Sequence, residues 1–190
     1  MAAPDPLAGL SDSQFPGLSL DAVTARPAWP QLRFELAPGI PDSEPLKRIE
    51  QSTKTAVMIF ERVFRPEDEG FLSFVSWWPD DDLVFFPLLP PGCSPDRFEG
   101  RDFYREGEDD EYVRYSATLR PRSVDYRSMF RLIACCDFAQ PQSLGGRAYF
   151  AKMSEPMIFH MYDDRGAVVL ASKPEHIDDL RAEFEDRIIP

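Results

Sequence analysis

Alternation of apolar and polar side chains predicts the strands of this chain. In the segment QLRFELA, residues 31–37, every second side chain is apolar, which indicates a strand with one buried face. The segment YVRYSATLR, residues 112–120, alternates in the same way. Four more segments are rich in apolar and aromatic residues, and we expect the first of them either to be buried on both faces or to have an aromatic end at Trp77 and Trp78. They are GFLSFVSWW at 70–78, RAYFAKM at 147–153, MIFHMY at 157–162 and AVVLAS at 167–172.

Apolar side chains that recur every three or four residues predict three helices. The first runs from Glu44 to Phe64, with Pro45 in its first turn, where proline is tolerated. The second follows Asp125, and the third lies near the C-terminus. The expected N-terminal caps are Asp42 or Ser43, then Asp125, then a capping box of Ser172 with Glu175. The expected buried stripes are Leu46, Ile49, Thr53, Val57, Phe60 and Phe64; Tyr126, Met129, Phe130 and Ile133; and Ile177, Leu180, Phe184 and Ile188.

This order of elements predicts one α+β domain, with a mainly antiparallel β-sheet of about five or six strands and about three helices packed on one side. A chain of 190 residues is long enough for one hydrophobic core. Residues 1–14 are small, polar and proline-bearing, so we expect a flexible N-terminal tail before a single domain at 15–190. Within the domain, residues 79–110 form an acidic, proline-rich excursion, in which Leu83 to Leu89 are apolar enough for a short helix.

The chain is strongly acidic. Its 33 aspartates and glutamates outnumber 21 lysines and arginines, which gives a formal net charge of −12. Such a charge repels nucleic-acid phosphates and speeds association with a basic protein partner. No apolar run is long enough to span a membrane, no secretory leader is evident, and three cysteines form no even-numbered disulfide framework. We therefore expect a cytoplasmic protein that binds neither nucleic acid nor membranes, and the sequence leaves its oligomeric state open.

The segment IFHMYDDRGAVVLAS, residues 158–172, holds the strongest candidate chemistry. Asp163, Asp164 and Gly166 suit a hairpin turn, in which aspartate caps backbone amides and glycine supplies a positive φ angle. The alternative is the site of a small metal-dependent hydrolase, in which His160 acts as acid or base and the two aspartates hold Mg²⁺. We favour the turn, and predict no catalytic residue, no cofactor and no metal.

Seven segments of the chain carry a family signature. They are FPGL, LRFEL, AVMIFERVF, PEDE, DYRSMFRLIACCDF, GRAYF and IFHMYDDRGAVVLAS, in this order. Together they resemble a bacterial family known as domain of unknown function 3885. The resemblance extends from Phe15 to Ile188, close to the whole chain, and its most specific part is the His-Met-Tyr-Asp-Asp-Arg-Gly run. The acidic stretch between Pro79 and Asp110 departs from it.

The resemblance brings no established activity and therefore no catalytic residues. It permits the role of an immunity protein, because related small acidic proteins often accompany polymorphic toxins. An immunity protein neutralises a usually basic toxin by covering its active site, with aromatic anchors inside a charged rim. We therefore predict a non-enzymatic inhibitor of the immunity or antitoxin type. Its predicted binding residues are Trp77, Trp78, Phe103, Tyr104, Glu106, Glu108, Asp109, Asp110 and Glu111.

Overall fold

The computed structural model describes residues 29–78, 80–105, 108–138 and 142–189, with the backbone alone for 100–105 and 108–111. The predicted tail, residues 1–14, lies outside this part of the chain. The described residues form one eight-stranded sheet of order β3-β4-β2-β5-β6-β7-β1-β8, in which all paired strands are antiparallel. The strands are β1 Gln31–Glu35, β2 Gly70–Ser76, β3 Asp96–Arg105, β4 Glu108–Leu119, β5 Arg147–Lys152, β6 Met157–Met161, β7 Gly166–Ala171 and β8 Ile188–Ile189.

The predicted α+β class and antiparallel sheet are confirmed, but the predicted number of five or six strands was wrong, since the described residues contain eight. The two strands without a prediction are β3 and β8. β3 reads DRFEGRDFYR, which is mostly charged and lacks apolar alternation; it forms because it pairs with β4 along most of its length. β8 has only two residues, too few to carry a pattern.

Four α-helices occur in the described residues, one more than predicted. The additional helix is α2, and with the 3₁₀ turn at Phe86–Leu88 it occupies the segment in which a short helix was expected. None of the helices in this part of the chain has the length and apolar character needed to cross a membrane. The four helices are α1 Pro45–Val63, α2 Asp81–Phe85, α3 Tyr126–Ala134 and α4 Asp178–Glu183.

One of the predicted helix caps is confirmed. The Asp125 carboxylate accepts a hydrogen bond from a backbone amide in the first turn of α3, at 3.1 Å. The predicted cap of α1 at Asp42 or Ser43 was wrong, because the helix begins at a proline and no side chain caps it. The capping box of Ser172 and Glu175 was also wrong, because a 3₁₀ turn lies between Ser172 and the start of α4.

The helices pack on one face of the sheet, as predicted, and bury the main hydrophobic core there. Phe60 of α1 lies at the centre of this core. The surrounding rings, with centroids 4.6 to 5.5 Å from that of Phe60, are those of Tyr126, Phe130, Phe150 and Phe159. The predicted stripe of α3 is confirmed. In the stripe predicted for the last helix, Ile177, Leu180 and Phe184 are buried, but α4 ends at Glu183, and Ile188 lies in β8 and is only partly buried. In the α1 stripe, Leu46 is 68% exposed and Thr53 is half-buried.

The second face of the sheet carries a separate apolar cluster whose core side chains are at most 4% exposed. β2 is buried on both faces, which is one of the two predicted alternatives. A row of paired residues crosses the second face and brings buried hydroxyl groups and a histidine into the apolar surroundings. The cluster comprises Phe71, Val75, Tyr149, Ala151, Ile158, Val168 and Leu170. The row runs Ser116, Ser73, Tyr149, His160, Val168 and Arg33.

Candidate functional site

The Asp-Asp-Arg-Gly segment between β6 and β7 forms the predicted hairpin turn. One oxygen of the Asp163 carboxylate accepts hydrogen bonds from the backbone amides of Arg165, at 2.7 Å, and Gly166, at 3.2 Å. The other oxygen accepts from Arg165 Nε at 2.7 Å. The Tyr162 amide donates to the Gly166 carbonyl oxygen and closes the turn. The Asp163 side chain is therefore fully engaged in holding the turn together.

Gly166 is required by packing rather than by its backbone angles. The described glycines with positive φ are Gly39 and Gly92, so the expectation that Gly166 supplies such an angle was wrong. A Cβ atom at Gly166 would lie 1.8 Å from the Tyr162 hydroxyl oxygen. No larger side chain fits at this position while the Tyr162 ring lies over the start of β7.

Asp164 joins the turn to α1. Its carboxylate pairs with Arg48 Nε, and the two side chains are only 3% and 13% exposed. Arg48 also donates to the Ile40 carbonyl oxygen at 2.6 Å, and the Ser52 hydroxyl donates to the Asp164 carbonyl oxygen. Burial raises the pKa of the Asp164 carboxyl, although the hydrogen bond from Arg48 acts in the opposite direction. This aspartate has a clear structural role at the contact between sheet and helix.

Three carboxylates meet beside the turn. Asp137, Asp163 and Asp164 each offer an oxygen, and these oxygens lie within 4.8 Å of one another. Two guanidinium groups already balance them: Arg48 pairs with Asp164, while Arg165 pairs with Asp163 and lies 3.6 Å from Asp137. A hard cation such as Mg²⁺ would have to compete with both arginines for the oxygens. The arrangement fits an ion-pair network better than a magnesium site.

His160 lies on the second face of the sheet and is completely buried. Its Nδ1 donates to the Ala148 carbonyl oxygen at 3.0 Å, and its ring stacks on that of Tyr149 with 4.3 Å between centroids. Among the described residues, its Nε2 has no hydrogen-bond partner. Burial lowers the pKa of His160 from 6.5 to about 4. No hydrogen bond joins it to Asp163 or Asp164 in the described part of the chain. The structure therefore does not assemble the three hydrolase candidates into a solvent-accessible site.

The two adjacent tryptophans predicted as binding anchors have different surroundings. Trp77 turns to the second face of the sheet, where its ring lies 5.1 Å from the Arg147 guanidinium carbon and 6.3 Å from the ring of Tyr112. Trp78 is 62% exposed, and its indole lies against the backbone of Gly145. Trp78 alone of this pair presents a largely exposed ring.

Six of the other seven predicted binding residues belong to β3 and β4, at one edge of the sheet. β2 ends at Ser76, opposite Val113, so the start of β4 extends beyond the end of β2 at which the tryptophans lie. Glu106 lies outside the described residues, and an interface on this hairpin stays a prediction. Phe103 and Tyr104 are in β3, and Glu108, Asp109, Asp110 and Glu111 open β4.

An exposed apolar patch directly after Trp78 was missed by the sequence reasoning. Leu83 of α2 is 76% exposed and Phe86 is 40% exposed. The two residues are three positions apart in a continuous helical segment, so they lie on the same side of it. Asp80 is exposed beside them and Asp82 is half-buried. The ring of Phe86 packs edge-on against Tyr115 of β4, whereas Trp78 lies against Gly145, just before β5. We use the name α2 patch for the exposed surface on and around α2 that Trp78, Leu83 and Phe86 form with these two aspartates. The available signal was an apolar run that follows three aspartates, DDDLVFF at 80–86.

A cavity of about 340 Å³ opens beside the α2 patch. Trp78 forms part of its wall, and the described residues of its lining include two aspartates but no lysine or arginine. The lining residues are Trp78, Asp80, Asp81, Val84, Cys136, Gln142, Ser143 and Gly145. Of the residues of the α2 patch, Trp78 and Asp80 line the cavity.

Comparison with known proteins assigns the family. Neither the curated proteins nor the solved structures contain a match to this chain. The family described as "Domain of unknown function (DUF3885)" matches residues 10–190, nearly the whole chain, which confirms the resemblance drawn from the seven sequence segments. The chain belongs to the DUF3885 family.

Proposed function

We propose that this chain is a cytoplasmic, non-enzymatic binding protein of the immunity or antitoxin type, which neutralises a cognate bacterial toxin by direct binding. The observation that carries the proposal is the α2 patch. Three large apolar side chains that are 40% to 76% exposed occur within nine residues of the chain, with acidic side chains beside them. Apolar anchors inside a charged rim are the usual composition of a protein-binding surface.

The charge of the chain supports a basic partner. A net charge of −12 attracts a cationic protein from a distance and increases its rate of association. At the α2 patch itself, Asp80 and Asp82 supply local negative charge next to the apolar side chains. The acidic β3–β4 hairpin extends from the same end of β2, and we include it in the proposed interface.

The state of the hydrolase candidates also favours binding over catalysis. Asp163 holds backbone amides of a turn, Asp164 pairs with a buried arginine, and His160 is a buried, weakly basic imidazole. Each of these side chains has a structural partner, and none is placed to activate water or a substrate. These structural roles are sufficient to explain Asp163, Asp164 and His160 in a non-enzymatic protein.

The proposal is tested by capture followed by a growth assay. Tagged full-length protein is used to capture partners from cells of the source bacterium, and a stoichiometric partner is then expressed alone and together with this chain. We expect the partner alone to stop growth and the pair to restore it. Leu83→Lys should abolish the rescue, because a lysine in the α2 patch would face a basic partner.

Met153→Lys provides a matched control for this assay. Met153 is 48% exposed, and its amide donates to the Glu69 carbonyl oxygen, just before β2 begins. It therefore lies at the opposite end of β2 from Trp78, ~20 Å away by the length of a seven-residue strand. Rescue that survives Leu83→Lys as well as it survives Met153→Lys, or a partner that does not harm growth, would contradict the proposal.

A further inference from the structure

The cavity beside the α2 patch has a fixed aromatic wall. A Cβ atom at Gly145 would lie 2.8 Å from both Cδ1 and Nε1 of the Trp78 indole, so the glycine allows the ring to lie directly on the backbone. The Trp78 carbonyl oxygen accepts a hydrogen bond from the Asp81 amide, which ties the backbone of Trp78 to the start of α2. One side of the indole thus lies on the Gly145 backbone, and Trp78 as a whole is 62% exposed.

Asp81 gives the cavity a buried negative charge. It is 5% exposed, and its two carboxylate oxygens accept hydrogen bonds from the Ser76 hydroxyl at 2.9 Å and the Gly145 amide at 3.0 Å. In the described part of the chain no lysine or arginine pairs with it, and burial raises the pKa of its carboxyl. The Gly146 backbone amide also donates to this carboxylate. A carboxylate offers about four acceptor positions, so about one remains for a further donor.

Other groups around the cavity add to its negative potential. Asp80 lies on the rim and is exposed. Burial raises the pKa of the Cys136 thiol, and the nearby carboxylates of Asp137, Asp81 and Asp163 raise it further. Arg165 pairs with Asp137 and Asp163, so Asp81 is the carboxylate that would most favour a cation in the same space.

We propose that this cavity receives an arginine side chain of the protein partner, with the guanidinium group over the Trp78 indole and hydrogen-bonded to Asp80 and Asp81. The inference rests on the proposed function, and names the chemistry by which that partner is recognised. Arginine suits the site better than lysine, because a planar guanidinium both stacks on an indole and donates several hydrogen bonds to carboxylates. The volume of about 340 Å³ is at the lower end of the range for ligand pockets, as expected for one side chain.

The test uses the full chain and small probes instead of the partner. N-acetyl-argininamide, N-acetyl-lysinamide and the neutral isostere N-acetyl-citrullinamide are titrated while two-dimensional NMR follows the Trp78 indole N–H, which is assigned from the spectrum of Trp78→Phe. We expect a saturable shift with the arginine probe, binding of the lysine probe weaker by about tenfold, and no binding of the citrulline probe. Equal binding of the citrulline probe, or no saturable shift with any probe, would overturn the proposal.

Three variants locate the binding site, with the backbone amide of Gly145 as a second reporter. Trp78→Leu should remove binding of the arginine probe, and Asp80→Asn should weaken it several-fold, since each removes one element of the site while leaving the core intact. Met153→Lys should leave it unchanged. If Trp78→Leu binds the arginine probe as well as the wild-type chain does, the inference fails. Because no partner is present, this failure is distinct from failure of the proposed function, which the growth assay measures.

Discussion

Replacement of His160 by phenylalanine tests the buried, neutral state of the histidine. Burial lowers the pKa of this imidazole to about 4, against an ordinary value of 6.5. The unfolded chain therefore binds the His160 proton more tightly than the folded chain. The contribution of neutral His160 to the unfolding free energy is fully present above pH 6.5 and is lost as the pH falls through about 4. The difference between the two pKa values corresponds to about 3 kcal/mol of unfolding free energy.

The measurement is urea unfolding followed by tryptophan fluorescence across this pH range. We expect the wild-type chain to lose about 3 kcal/mol more than His160→Phe between neutral pH and pH values below 4. Phenylalanine keeps a ring stacked on Tyr149, while Arg147 and Asp163, the charged groups that act on the pKa of His160, are present in both chains. Parallel pH profiles would refute the reasoning and would make His160 available again for acid–base chemistry.

Three further changes test the packing around the turn and α3. Asp164→Ala should lower the unfolding free energy by about 1–3 kcal/mol, because Arg48 loses its buried carboxylate partner and keeps only the exposed Asp42 and the Ile40 carbonyl oxygen. Arg48→Met in the same chain should restore much of this loss, and equal losses in the single and double variants would refute the pairing. Gly166→Ala should lower the unfolding free energy by about 1–3 kcal/mol, because its Cβ atom clashes with Tyr162, and Tyr162→Ala in the same chain should relieve part of this loss. Asp125→Ala should lower the melting temperature by about 2–4 °C, since a helix cap contributes about 1 kcal/mol; an unchanged melting temperature would argue against the cap.

Apolar spacing along the sequence predicted most of the strands and the two longer helices. The six predicted strands and the helices at Pro45–Val63 and Tyr126–Ala134 all occur, because their apolar spacing specifies which side chains face the core. β3 could not be predicted in this way, since its formation depends on pairing with β4, a contact between distant residues. The same holds for the role of Gly166, which depends on the position of the Tyr162 ring and not on a turn angle.

The candidate site was predicted only in part, for a similar reason. The turn role of Asp163 follows from residue types that are adjacent in sequence, and it is confirmed. The sequence Trp77-Trp78 could not predict that the two rings have different surroundings, because this depends on which side of the strand end each ring packs. The exposure of Leu83 and Phe86 could not be predicted either, since an apolar run near a helix is as consistent with burial as with a binding surface.

Affinity for the captured partner, measured by isothermal titration calorimetry, tests the central claim most directly. The titration compares the wild-type chain with Leu83→Lys and with Met153→Lys at two salt concentrations. We expect Leu83→Lys to weaken binding by at least about 30-fold, as loss of an interface hot spot does, while Met153→Lys binds like the wild type and added salt weakens binding. Equal affinities of the three chains would contradict the claim that this DUF3885 protein binds a basic toxin through the α2 patch.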